Sequence, residues 1–150
     1  MKAVVFLLLG ILLLTPLCIT VGVRIVNGVV FDRGCKGHLK RAADSNTVAL
    51  ATKEMETAVV WVEQNGMTSG YTSVLYTTPN EDVGFWYENL RSALEELQKV
   101  NPEASQLERT NVLMKLRETL LDKDDVTVPP GISVFPHNTL LALLMVISII

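Results

Sequence analysis

The chain has 150 residues, a formal net charge of −3 and two cysteines. So mild an acidic excess supplies no basic face for nucleic acid. Cys18 lies inside an apolar run and Cys35 just beyond it, so the pair does not read as the framework of a disulfide-stapled secreted domain. The two ends carry most of the apolar residues, which leaves about 110 residues for one small soluble domain. Internal repeats, low-complexity tracts and Asn-x-Ser/Thr acceptors are absent from the sequence.

From Ala3 to Val23 no charged residue occurs, and Arg24 ends the run. A helix of that length crosses the roughly 30 Å hydrocarbon core of a bilayer. A cleavable signal has a shorter apolar region, of roughly 7–15 residues, and a small-x-small cleavage site. Val21-Gly22-Val23-Arg24 offers no such site, and Leu17 before Cys18 disfavours a lipoprotein signal. Residues 1–24 are therefore expected to remain as a signal-anchor and transmembrane helix, with a cleaved signal as the alternative. Lys2 favours a cytoplasmic N-terminus, whereas Arg24, Arg33, Lys36, Lys40 and Arg41 follow the span and pull the other way. Long segments translocate largely regardless of charge, so the soluble part is expected outside the cytoplasm, on an inner or plasma membrane.

Residues 25–125 read as a helical domain. Leu39, Ala43, Val48, Ala51, Met55, Ala58, Val59 and Val62 recur at steps of three and four, which predicts one amphipathic helix over about 36–64. The cluster Asp44-Ser45-Asn46-Thr47 is its weak point, because these residues prefer caps. Asn65-Gly66 is expected to close it with a left-handed cap. Residues 67–78, rich in Thr, Ser and Gly, form a loop or short strand. Thr78-Pro79-Asn80-Glu81 has the form of a capping box with proline at the first helical position, predicting a second helix over about 79–99. Asn101-Pro102 stops it and starts a third over about 102–121, antiparallel to the second. Pro129, Pro130 and Pro136 make 126–138 an extended linker. Residues 139–150 form a short apolar helix of about 18 Å, expected to be a marginal or truncated second membrane segment. The fold class is thus mainly α: an N-terminal transmembrane helix, a three-helix domain, a Pro-rich linker and a short C-terminal apolar helix.

The sequence offers no catalytic constellation. Cys35 and His38 are three apart but lack the further ligands that zinc requires. Ser69 sits in no Gly-x-Ser-x-Gly elbow, and no phosphate-binding Gly-Lys-Ser/Thr occurs. Asp122, Asp124 and Asp125 lack the glycine and ligand spacing of a calcium loop. The sequence accordingly points to no catalytic residue, metal ligand or cofactor. The candidate binding surface comprises Tyr71, Tyr76, Phe85, Trp86 and Tyr87. The loop before Pro79 is long for a helix connection, and three consecutive aromatics cannot all face one narrow core stripe. Cys35, near the membrane, is a candidate for pairing between chains.

The blocks Gly34-Cys35-Lys36-Gly37-His38-Leu39-Lys40-Arg41, Thr68-Ser69-Gly70-Tyr71-Thr72-Ser73-Val74-Leu75-Tyr76 with Glu81-Asp82-Val83-Gly84-Phe85-Trp86-Tyr87, and Val128-Pro129-Pro130-Gly131-Ile132-Ser133 resemble a group of uncharacterised bacterial proteins of the cyanobacterial type. The resemblance implies an N-terminal span, a helical middle and a C-terminal span, and it implies no activity. The expected function is a non-catalytic interaction or structural module at the membrane. Its partners would be the lipid bilayer and a protein or a second copy of the chain. A small-ligand sensor is the alternative, and an enzyme comes third. A sensor predicts a pocket between residues 67–78 and the helices, whereas an interaction module predicts an exposed aromatic or apolar patch there.

Overall fold

The computed structural model describes the backbone of residues 2–75 and 77–149, and side-chain burial from Leu14 to Ile147 apart from Tyr76. Its first element, α1, runs from Lys2 to Phe31. The helix does not stop there. One π-helical turn, Asp32–Lys36, carries it directly into α2, Gly37–Ala43. The result is a single rod of roughly 60 Å at 1.5 Å per residue. Pro16 lies within it, and the Thr20 hydroxyl, fully buried, returns a hydrogen bond of 2.8 Å to the Pro16 carbonyl. The described chain thus has one helix long and apolar enough to cross a membrane, a test that a signal sequence also passes.

The expected helix over 36–64 is two helices. α2 ends at Ala43, and α3, Val48–Gln64, starts at an N-cap on Thr47, whose side-chain oxygen accepts from the Leu50 amide. In between, Ser45 donates to the Arg41 carbonyl at 2.7 Å, the side-chain competition that ends helices at such residues. The apolar stripes before and after the break are in phase because they face each other. Cys35, Leu39 and Ala42 pack with Ala51, Met55 and Ala58 in one fully buried core. The α3 C-terminus matches expectation: Gly66 is left-handed (φ 67°), and the amides of Met67 and Gly66 return to the carbonyls of Val62 and Glu63.

The second expected helix begins later than the capping box suggested. Pro79–Glu81 is a 3-10 turn, and α4 covers Val83–Gln98 with Asp82 as its N-cap, bonded to the Phe85 amide at 3.0 Å. The cause is tertiary. The Val83 amide pairs with the Gly70 carbonyl and the Thr72 amide with the Glu81 carbonyl, so Asp82 is held extended. The Thr78 hydroxyl meets the Glu81 carboxylate at 2.6 Å instead of a backbone amide. Likewise α5 spans Gln106–Leu120 and is capped by Ser105 through the Glu108 amide, not by Asn101. Asn101 closes its own small turn onto the Glu103 amide.

α2, α3, α4 and α5 pack in cyclic order, each against the next, and α5 closes against α2. The domain is therefore a four-helix bundle whose first helix is the end of the long rod. A two-residue hairpin follows, β1 (Leu121–Asp122) with β2 (Asp125–Val126), turning through Lys123 and Asp124 at φ 47° and 67°. Residues 126–138 are no free linker. Val126, Ile132 and Val134 are buried, Phe135 packs on the core, and the Ile132–Val134 turn lies against α1. The turn Pro129–Ile132 closes through the Ile132 amide with Gly131 at φ 75°, the geometry of a proline–glycine type II turn. α6, Asn138–Ile149, then leaves the bundle at the end from which α1 enters and runs back along α1. Leu141 is buried, while Leu140, Leu143, Val146 and Ile147 stay exposed.

Candidate functional site

The bundle has two unlike ends. At the end where α1 enters, residues 67–82 fold across the start of α4. Gly84 approaches the loop closely, for a methyl group there would meet the Asp82 carboxylate at 3.3 Å and the Ser69 Cα at 3.5 Å. Gly70 lies against Phe135, where a methyl group would come within 3.4 Å of the ring. Phe135 leads into α6, so the loop sits level with the point where both apolar helices leave the bundle.

This placement sorts the five candidate contact residues. Tyr71 is 43% exposed and Phe85 66% exposed. Trp86 and Tyr87 are buried and drop out of the surface. Trp86 donates its indole N–H to the Thr127 carbonyl at 3.2 Å, and the Tyr87 hydroxyl donates to Glu63 at 2.6 Å. The Glu63 bond, joined by partial burial, raises the Tyr87 phenol above its ordinary value. Tyr76 lies outside the described residues. Two residues the sequence reading passed over complete the patch: Val74, 42% exposed, and Leu75, 89% exposed. The available signal was charge. Between Glu63 and Glu81 the sequence carries none.

Aromatic residues mark the same end. Phe31 and Trp61 meet edge to face with ring centroids 5.7 Å apart. Trp61 is partly exposed and presses on the π-turn at Gly34, where a Cβ would come within 2.1 Å of the indole nitrogen. Every described aromatic side chain lies in this half of the bundle: Phe31, Trp61, Tyr71, Phe85, Trp86, Tyr87 and Phe135.

Beside Trp61, a shallow groove of about 440 Å³ runs between the rod and α3 past His38. His38 Nδ1 and an Arg41 guanidinium nitrogen both reach one oxygen of Glu54, at 2.6 and 2.9 Å. The same Arg41 nitrogen lies 2.8 Å from His38 Nδ1, so the three side chains form one cluster. Partial burial pushes the Glu54 carboxyl up, but the His38 hydrogen bond and the Arg41 charge prevail and hold it below the ordinary range. Cys35 is wholly buried, which removes it as a cysteine for pairing between chains. Among the described residues no group of three or more His, Cys, Asp or Glu is placed to hold a metal ion.

The far end carries a cleft of about 650 Å³ between the α3 and α5 N-termini and the α4 C-terminus. Lys53, Asn101, Arg109 and Thr110 line it with Leu97 and Leu113. Arg109 already donates to the Pro102 carbonyl, and Glu56 accepts from the Gln98 amide at 2.9 Å. The lining includes neither histidine nor cysteine. This cleft is at the opposite end from residues 67–78, where the sensor reading expected its pocket.

Comparison of the chain with protein-family models, with curated proteins and with solved structures found no match in any of the three. The functional reading therefore rests on geometry and composition alone.

Proposed function

We propose that this chain is a non-catalytic, membrane-anchored helical module that acts through contacts made by the surface around Tyr71, Val74, Leu75 and Phe85. The supporting observation is the exposed apolar patch at the α1 end of the bundle, the feature that separates an interaction surface from a ligand pocket. α1 is its anchor and is retained, because the helix continues without a break into the bundle core. The bundle lies outside the cytoplasm of a bacterial cell of the cyanobacterial type, on its inner or plasma membrane, since a segment of this length translocates despite flanking cations. An alkaline phosphatase reporter fused after Lys123 is then active, and an inactive one overturns the orientation.

The contact role is tested with Leu75→Asp and Phe85→Asp. Both side chains are exposed, so folding stability in detergent should change by no more than about 0.5 kcal/mol. Site-specific photocrosslinking at position 75 in native membranes should give an adduct, and the Phe85→Asp change should weaken it. An unadducted position 75 in a folded, anchored protein contradicts the reading. The far-end cleft of about 650 Å³ favours a second reading, a small-ligand sensor, which predicts stabilisation by a cell-extract metabolite that Leu97→Trp abolishes.

A further inference from the structure

We propose that residues 67–75 and Phe85 are seated in the headgroup layer of the same bilayer that α1 crosses, so that the bundle rests on the lipid surface at a second point. This rests on the membrane-anchored reading and names the partner of its contact surface: phospholipid at the boundary between headgroup and acyl chain.

The first argument is one of length. The uncharged run ends at Arg24, yet the apolar exposed flank of α1 does not. Ile25, Val26, Val29 and Val30 are 45–63% exposed. At 1.5 Å per residue the 30 residues of α1 extend about 45 Å. That exceeds the roughly 30 Å of hydrocarbon and matches the roughly 40–45 Å of a bilayer with its headgroups. The last two turns of α1 then lie in the headgroup layer, and whatever surrounds Phe31 lies at its outer edge.

The second argument is what surrounds Phe31. Trp61 stacks edge-on against it, the 67–82 loop leans on Phe135, and Phe85 stands in the first turn of α4. These partly or fully exposed aromatics form a collar where the two apolar helices emerge. Trp and Tyr favour that depth, because their rings are apolar and their N–H or O–H groups meet water and headgroups. The far half of the bundle has no described aromatic side chain, an asymmetry that packing of the core alone does not require.

The third argument is charge. A 17-residue stretch from Gln64 to Asn80 without an Asp, Glu, Lys, Arg or His is suited to an interface from which charges would have to be desolvated. Its hydroxyls suit headgroup hydrogen bonding, and Val74 and Leu75 at its tip suit the acyl boundary. Arg24 and Arg33, both exposed against the single acid Asp32, flank the last turns of α1, where lipid phosphates would meet them. A protein partner is favoured less, because the patch lies at the end of the bundle from which the two apolar helices emerge.

The test uses the full chain in vesicles of three parts phosphatidylcholine to one part phosphatidylglycerol. An environment-sensitive fluorophore is attached at a single position. The native Cys18 on α1 reports anchor insertion. In a Cys18→Ser background, Leu75→Cys reports the loop and Glu103→Cys the far end. Cys35 is buried and stays unlabelled. The expected result is quenching at Cys18 by acyl-chain quenchers, and at position 75 by headgroup-level quenchers at least threefold above position 103, with blue-shifted emission. Quenching at Cys18 with water-like, unquenched emission at position 75 overturns the proposal and leaves the anchor intact, pointing to a protein partner. Absence of quenching at Cys18 overturns the anchor, and the proposal falls with it.

Discussion

Gly34 and Trp61 meet so closely that the π-turn has no room for a side chain. A Cβ at Gly34 would overlap the indole, which is held by its edge-on contact with Phe31. Gly34→Ala should therefore lower the melting temperature, by the equivalent of about 1–3 kcal/mol, although alanine is the better helix former by about 1 kcal/mol. An unchanged or raised melting temperature would show that Trp61 swings away freely. The Glu54 cluster gives a pH-dependent counterpart. Its carboxyl is held below the ordinary range in the fold, so its stabilisation is complete above the unfolded glutamate value of about 4.3. That stabilisation is lost as the pH falls through the lower folded value. Asp44, whose carboxyl is lowered chiefly by its hydrogen bond to Lys40 and then by Arg117, adds to the same acid limb. Glu54→Gln should lower stability at pH 7 and flatten the decline between about pH 5 and 3, read from urea midpoints. A variant with the full acid limb would assign it elsewhere. At this scale the sequence was legible in part. Phe85, Trp86 and Tyr87 are consecutive, so at least one had to leave the core stripe, and Phe85 is the one that did. Which one leaves depends on where α4 begins, and the loop pairing at Val83 decides that.

At the scale of elements, helix existence was readable from periodicity and the exact boundaries were not. The break at Asp44–Thr47 was visible as a run of cap-forming residues. Yet an in-phase stripe on both sides is equally consistent with one helix and with two that fold face to face. Thr47 with Ser45 decides it by taking the local hydrogen bonds. At the start of α5 the true signal, Ser105-x-x-Glu108, was present three residues beyond the more conspicuous Asn101-Pro102. Ser105→Ala should therefore cost about 1 kcal/mol of stability, measured by chemical denaturation, and Asn101→Ala should cost distinctly less. The reverse ranking would place the helix start at Asn101. The 126–138 segment was legible as non-helical from its prolines, but its burial was not. Val126, Ile132 and Val134 are spaced too irregularly to declare a buried face before the turn at Gly131 brings them onto the core.

Across the whole molecule, the first helix is both apolar segment and bundle member. Its final turns supply Cys35, Leu39 and Ala42 to the core that α3 completes, so the domain and the apolar helix share one continuous element. Charge-free loop, aromatic collar and the second apolar helix α6 gather at the end where that element enters. The opposite end holds the cleft and no described aromatic side chain, with Leu50 and Leu107 exposed at the α3 and α5 N-termini. Such polarity of the bundle fits a module standing on a membrane by its α1 end, and it does not depend on any catalytic group. The most direct test of this account is the mass and partitioning of the protein in a bacterial host. After extraction of membranes with alkaline carbonate, the protein should stay in the pellet with the intact mass of the full chain, about 16.5 kDa. Release of a soluble product lacking the residues before about Arg24 would show that the apolar segment is a removed signal and contradict the account.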